Sequence, residues 1–124
     1  MSTQTMIIQG LYASAIVADF DTAIEWYSKL LGRAVDDKPI PGMAQWRDLG
    51  GAGLQIWHDA DRAGKGIITI VVPDLSKEQA RLAGLGLNTG EVSRGAFGAV
   101  THILDPEGNR INLAEPPAGF FDAR

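Results

Sequence analysis

Ile16-Val17-Ala18-Asp19-Phe20 carries an apolar run onto an aspartate and then into a helical pattern, and Val71-Val72-Pro73-Asp74-Leu75 repeats the arrangement. The two aspartates stand 55 positions apart, at 19 and 74, close to half of the 124-residue chain. The parts downstream correspond as well. Leu54-Gln55-Ile56-Trp57 follows a glycine turn at Gly50–Gly53, and Arg110-Ile111-Asn112-Leu113 follows the turn Asp105–Asn109. The halves differ in sequence but share a layout, which marks a duplicated structural unit.

Each half reads as a strand, a helix and three further strands. Leu11–Val17 is the first strand, by its apolar and small residues. Asp19 and Asp21 both suit a helix N-cap, where a carboxylate accepts orphan backbone N–H groups and complements the helix dipole. Phe20, Ile24, Tyr27 and Leu31 then fall on one helical stripe, and Gly32 terminates it. In the second half Asp74 is the cap, Leu75, Ala80, Leu82 and Ala83 form a weaker stripe, and Gly84 and Gly86 end it. The remaining strands are expected at Val35–Lys38, Ala44–Asp48, Leu54–His58, Ile67–Val72, Glu91–Arg94, Ala99–Leu104 and Arg110–Ala114. This is an α+β chain of two tandem βαβββ modules, about residues 8–60 and 66–115, within a single domain. Trp26 belongs to the core or to helix–sheet packing. The tail 116–124 reads as an extension whose Phe120 and Phe121 could dock on a partner.

Composition narrows the function classes. The chain is 45% hydrophobic and 21% charged, carries a net charge of −4, and contains no cysteine. Disulfides, thiolate metal sites and thiol nucleophiles are thereby excluded. Mild acidity with scattered lysines and arginines argues against a nucleic-acid partner. No apolar run approaches the ~20 residues of a membrane span, and Met1–Gly10 lacks a signal-peptide pattern, so a soluble, cytoplasmic protein is expected. Fifteen glycines exceed ordinary usage and point to many turns or close backbone approaches. Gly64-Lys65-Gly66 is not a phosphate loop, Gly84-Leu85-Gly86 is not a dinucleotide fingerprint, and no G-x-S-x-G element is present.

Three motifs together resemble the vicinal oxygen chelate superfamily, which includes glyoxalase I, bleomycin resistance proteins, fosfomycin resistance enzymes and extradiol dioxygenases. They are Val17-Ala18-Asp19-Phe20 running into Trp26-Tyr27-Ser28-Lys29-Leu30-Leu31-Gly32, then Val72-Pro73-Asp74-Leu75, then Asp105-Pro106-Glu107-Gly108-Asn109. The resemblance implies that the mixed sheets of both modules curve around a central cleft. It also implies a homodimer, the usual state of single-chain members of this length.

In metal-using members of that superfamily four positions hold a divalent ion. Two lie on the first strands, seven residues before each capping aspartate, and are usually His or Gln; two on the last strands are usually Glu. Carried onto this chain, the four positions are Tyr12, Ile67, Gln55 and Asn112. A slipped register at Ile67 offers only Lys65 and Thr69 on the same strand face. None of these makes a good ligand pair for Zn²⁺, Fe²⁺ or Ni²⁺, which favour imidazole, thiolate and carboxylate. No cofactor is therefore expected, and a displaced divalent metal is the alternative.

His102 precedes the turn aspartate by three residues. In fosfomycin-resistance relatives a pocket-facing tyrosine occupies the corresponding place, so His102 is a candidate ligand donor or general base. The bland alternative is a histidine in the pocket wall or half exposed. Tyr12 is the second acid–base candidate. His58, beside Asp59 and Asp61, sits in a polar loop and reads as a solvated connection. Strand alternation adds Ser14 to Tyr12 and Trp57 to Gln55, with Trp46 from the preceding strand, and Thr69, His102 and Asn112 from the second half. An aromatic wall of Tyr12, Trp46 and Trp57 with neutral polar groups suits a planar or amphipathic ligand, although Trp46 and Trp57 are nearly as well explained as core. The favoured function is a metal-free binding protein of the bleomycin-resistance kind. The alternatives are a glyoxalase-like lyase or isomerase using His102 and Tyr12 or a displaced metal, and a structural or regulatory partner with a vestigial cleft.

Overall fold

A computed structural model describes residues 6–119, and Phe120 and Phe121 lie outside them. The first unit comprises β1 (Tyr12–Val17), α1 (Phe20–Leu31), β2 (Asp37–Ile40), β3 (Met43–Leu49) and β4 (Ala52–His58). After a short 3-10 turn, the second comprises β5 (Ile67–Val71), α2 (Leu75–Gly84), β6 (Ser93–Gly95), β7 (Gly98–Leu104) and β8 (Arg110–Glu115). Both make mixed four-stranded sheets of the same topology, β1-β4-β3-β2 and β5-β8-β7-β6. β1 runs parallel to β4 and β5 parallel to β8, while the outer pairings are antiparallel. Ser14 lies opposite Gln55 and Thr69 opposite Asn112, so the two sheets share one register.

The helix signals act where the sequence places them. Asp19 accepts from the Thr22 N–H and Asp74 from the Lys77 N–H, each satisfying one orphan donor of a first turn. Gly32 adopts φ 76° and donates its N–H to the Ser28 carbonyl, closing α1 in a conformation that a Cβ would strain. α2 buries Leu75 and Leu82, two turns apart on one face, whereas Ala80 and Ala83 of the expected stripe are exposed. β2 begins at Asp37 rather than Val35. The Asp36 carboxylate accepts from the Arg47 N–H at 2.6 Å and from the Arg33 guanidinium at 2.7 Å, which holds residues 33–36 as a loop. β6 shortens from the expected Glu91–Arg94 to a three-residue edge strand.

Alternation along the strands divides each sheet into a core face and an open face. Ala15, Val17, Trp46, Leu54 and Ile56 of the first sheet join Ile68, Ala99, Ile103, Ile111 and Leu113 of the second in one buried cluster. Tyr27, Leu30, Leu75 and Leu82 of the helices complete it. Both helices therefore cover the same side of the molecule. No helix among the described residues is long and apolar enough to cross a membrane.

The units are joined by polar bonds as well as by the core. The turn at 105–109 reaches back to the first unit: Asn109 Nδ2 donates to the Ile16 carbonyl at 3.0 Å, and Glu107 accepts from the Ala18 and Asp19 N–H groups at 2.7–2.8 Å. Tyr27 of α1 donates its hydroxyl to Asp105 at 2.7 Å. Burial first, and then the neighbouring Asp105 carboxylate, push the Tyr27 phenol far above its ordinary value. In the other direction Arg81 of α2 donates to the carbonyls of Lys29 and Leu30, at the C-terminus of α1.

Candidate functional site

The open faces carry the candidate residues. In the first sheet Tyr12, Ser14, Gln55 and Trp57 share the face turned away from the helices, as the β1–β4 register requires. Trp57 donates its indole N–H to Gln55 Oε1 at 3.0 Å, and Gln55 Nε2 donates to Gln45 Oε1 at 3.2 Å. The side chain of Gln55 is thus held between an indole N–H and a second amide. The Tyr12 ring lies over Gly53, where an added Cβ would overlap it. A cavity of about 390 Å³ opens beside Ser14, Ile16, Trp57, His58, Asp59 and Arg62.

In the second sheet Thr69, Asn112 and His102 stand side by side across β5, β8 and β7. Asn112 Nδ2 donates to Thr69 Oγ1 at 3.3 Å, and Asn112 Oδ1 accepts from Arg110 Nε at 2.8 Å. The His102 ring rests against Gly90, whose backbone N–H donates to the His102 carbonyl. No described side chain hydrogen-bonds the imidazole, so no group fixes its tautomer or orientation for acid–base work. Thr69 also borders an apolar slot of about 450 Å³ along the seam between β1 and β5, lined by Leu31, Leu49, Leu54, Ile68 and Ile70 among others.

Trp46 does not belong with these residues. It is fully buried in the core, opposite Leu54, and donates its indole N–H to the Arg33 carbonyl at 3.1 Å. The cause lies at the β3–β4 hairpin. Leu49 pairs with Ala52 beside the turn, but the register slips by one residue before Trp46 pairs with Leu54. Asp48, at φ 56°, takes up the extra residue in a bulge, and such a slip moves each side chain to the opposite face. Gln45 consequently takes the place expected for Trp46, opposite Gln55. Sequence reading missed Gln45 and Arg110; parity from Asn112 finds the second, whereas the first faces Gln55 only because of the bulge, which no sequence signal marks.

The four family metal positions can be tested on these contacts. Tyr12 and Ile67 are exposed, and Gln55 and Asn112 are half-buried, so all four reach the open faces. Their donors are a phenol, an alkyl group and two neutral amides. Both amide oxygens already accept a hydrogen bond, one of them from a guanidinium. This donor set does not fit a divalent metal. Among the described residues no group of three or more His, Cys, Asp or Glu could hold one elsewhere. At the His58 loop, Asp59 caps the 3-10 turn and pairs with Arg62 at 2.9 Å. The Arg62 hydrogen bond holds the Asp59 carboxyl below its usual range, as befits a structural pair on the surface.

Comparisons with known proteins agree with this architecture. Residues 13–114 match the family model of the glyoxalase-like domain. A solved glyoxalase / bleomycin resistance protein from Catenulispora acidiphila DSM 44928 is 30% identical, with a TM-score of 0.79 over 87% of this chain and 98% of that one. TnmS3, an antibiotic binding protein from Streptomyces sp. CB03234, is 22% identical with a TM-score of 0.77, over 91% of this chain and 99% of its own. A lactoylglutathione lyase from Agrobacterium tumefaciens is 18% identical with a TM-score of 0.70, over 92% of this chain and 96% of that one. No curated protein sequence matches the chain. The duplicated sheets, the turn at 105–109 and the matched 13–114 segment place this chain in the glyoxalase-like domain family, within the vicinal oxygen chelate superfamily.

Proposed function

We propose that this protein binds a small aromatic or amphipathic organic molecule on the open faces of its sheets, without a catalytic metal. The observation that carries the reading is the state of the two last-strand positions. By the superfamily resemblance Gln55 and Asn112 take the positions that are usually glutamate in metal-using members, and their amide oxygens accept from the Trp57 indole and the Arg110 guanidinium. Trp57 and Tyr12 supply aromatic surface, and Ser14, Gln55, Thr69, His102 and Asn112 supply neutral polar groups. Rings stack on such a wall while amides and hydroxyls fix orientation. The structural likeness to an antibiotic binding protein supports a binding role.

A second copy of the chain is part of this reading. Ile67, Val71 and Leu104 expose 54–69% of their surface on the open face of the second sheet. A homodimer would close the faces into clefts, with these apolar side chains lining the cleft. Two measurements test the proposal together. Titration with aromatic compounds should quench Trp57 fluorescence, and Trp57→Ala should abolish that response. Elemental analysis of the purified protein should find no stoichiometric Zn, Ni, Mn or Fe; a metal at one equivalent per chain overturns the metal-free reading.

A further inference from the structure

The open face of the second sheet is electrostatically unlike the rest of the molecule. The chain carries a net charge of −4. Yet the register of β5, β8 and β7 puts no acidic residue on this face, and its ionisable groups are Arg110 and His102. Arg110 lies opposite Ile67 on one side and Leu104 on the other, both exposed. A guanidinium thus rises between two aliphatic side chains. Its Nε donates to Asn112 Oδ1 at 2.8 Å, which fixes the plane of the group, and Asn112 is itself tied to Thr69. Among the described residues the terminal nitrogens of Arg110 have neither a hydrogen-bond acceptor nor an ion-pair partner.

The first sheet provides the contrast. Arg110 occupies the position that Gly53 holds there, since each lies two residues before the amide, opposite the start of the first strand. Over Gly53 lies the Tyr12 ring. One unit therefore presents an aromatic plane where its repeat presents an oriented cation.

We propose that Arg110 is the recognition residue for an anionic group on an aromatic ligand, of the aryl carboxylate class. The inference rests on the small-molecule reading above and specifies its ligand. A guanidinium held through Nε offers its remaining N–H groups as a fork, which matches the two oxygens of a carboxylate. Ile67 and Leu104 contact the hydrocarbon beside it. The net charge of −4 gives the chain no general attraction for an anion, so recognition rests on this local fork.

2-Naphthoate and 2-naphthamide test this directly, because they match in shape and differ in charge. In amide-resolved NMR titrations, naphthoate should bind about tenfold more tightly than naphthamide, with shifts centred on residues 110–112 and weakening as salt rises. Arg110→Gln should bring naphthoate to the affinity of the amide and leave the amide unchanged, while Arg110→Lys keeps part of the preference. Equal binding of both probes by the unaltered protein, or a naphthoate preference that persists undiminished in Arg110→Gln, overturns the anion assignment and leaves the aromatic site standing. Binding of neither probe overturns both.

Discussion

The Tyr27 hydroxyl of α1 donates to the buried Asp105 carboxylate at 2.7 Å, joining the first unit to the turn of the second. Asp105 also accepts from the backbone N–H groups of Glu107 and Asn109 and from the Asn109 amide. Removing the phenol by Tyr27→Phe leaves a buried carboxylate one donor short. The expected cost is about 1–3 kcal/mol, read from urea unfolding.

The same pair sets an alkaline limit. The folded state holds the Tyr27 proton well above the ordinary tyrosine value of 10.0, whereas the unfolded chain releases it near that value. The unfolded state then binds fewer protons, so stability is intact below pH 10 and falls as pH rises beyond it. Tyr27→Phe should flatten that decline in a pH series of unfolding curves; an unchanged slope would refute the linkage.

The two strand tryptophans should separate stability from binding. Trp46→Ala removes a fully buried indole and its hydrogen bond to Arg33, with an expected loss of about 3–5 kcal/mol. Trp57→Ala acts on the open face and should cost about 1 kcal/mol or less while eliminating aromatic ligand binding. Unfolding curves and ligand titrations on both variants distinguish the roles.

Arg81→Ala should weaken the join from the other side. Its guanidinium satisfies the Lys29 and Leu30 carbonyls at the end of α1 and pairs with Glu78. Loss of these bonds should cost about 1–2 kcal/mol and raise hydrogen exchange in the last turn of α1.

Chelation gives a fifth test. Exhaustive EDTA treatment should leave both the thermal midpoint and ligand affinity unchanged. A drop in either, restored by one particular divalent ion, would require a site other than the four family positions.

The duplication was legible because it rests on local chemistry. Asp19, Asp74 and Gly32 act through caps that need only their own helix, and Asp105 begins a turn whose proline and glycine are visible in the sequence. The open-face residues of β1, β4, β5, β7 and β8 were legible for a related reason: alternation holds wherever a strand is regular. Trp46 was not, because one bulge at Asp48 inverts the parity of β3. Arg110 was overlooked because an exposed arginine looks ordinary in a sequence; its meaning comes from Ile67 and Leu104, which other strands bring to its sides. The helical stripe in α2 was overdrawn, since alanines at helical spacing do not reveal whether a partner surface lies beneath them.

The reach of the turn at 105–109 bears on how the chain is made. The N-terminal N–H groups beside α1 wait for Glu107, and the Ile16 carbonyl waits for Asn109. On a ribosome those acceptors and donors emerge 88 to 93 residues after the groups they satisfy. The first unit therefore leaves the exit tunnel with its opening turn unfinished, and the later turn between β7 and β8 locks α1 into place.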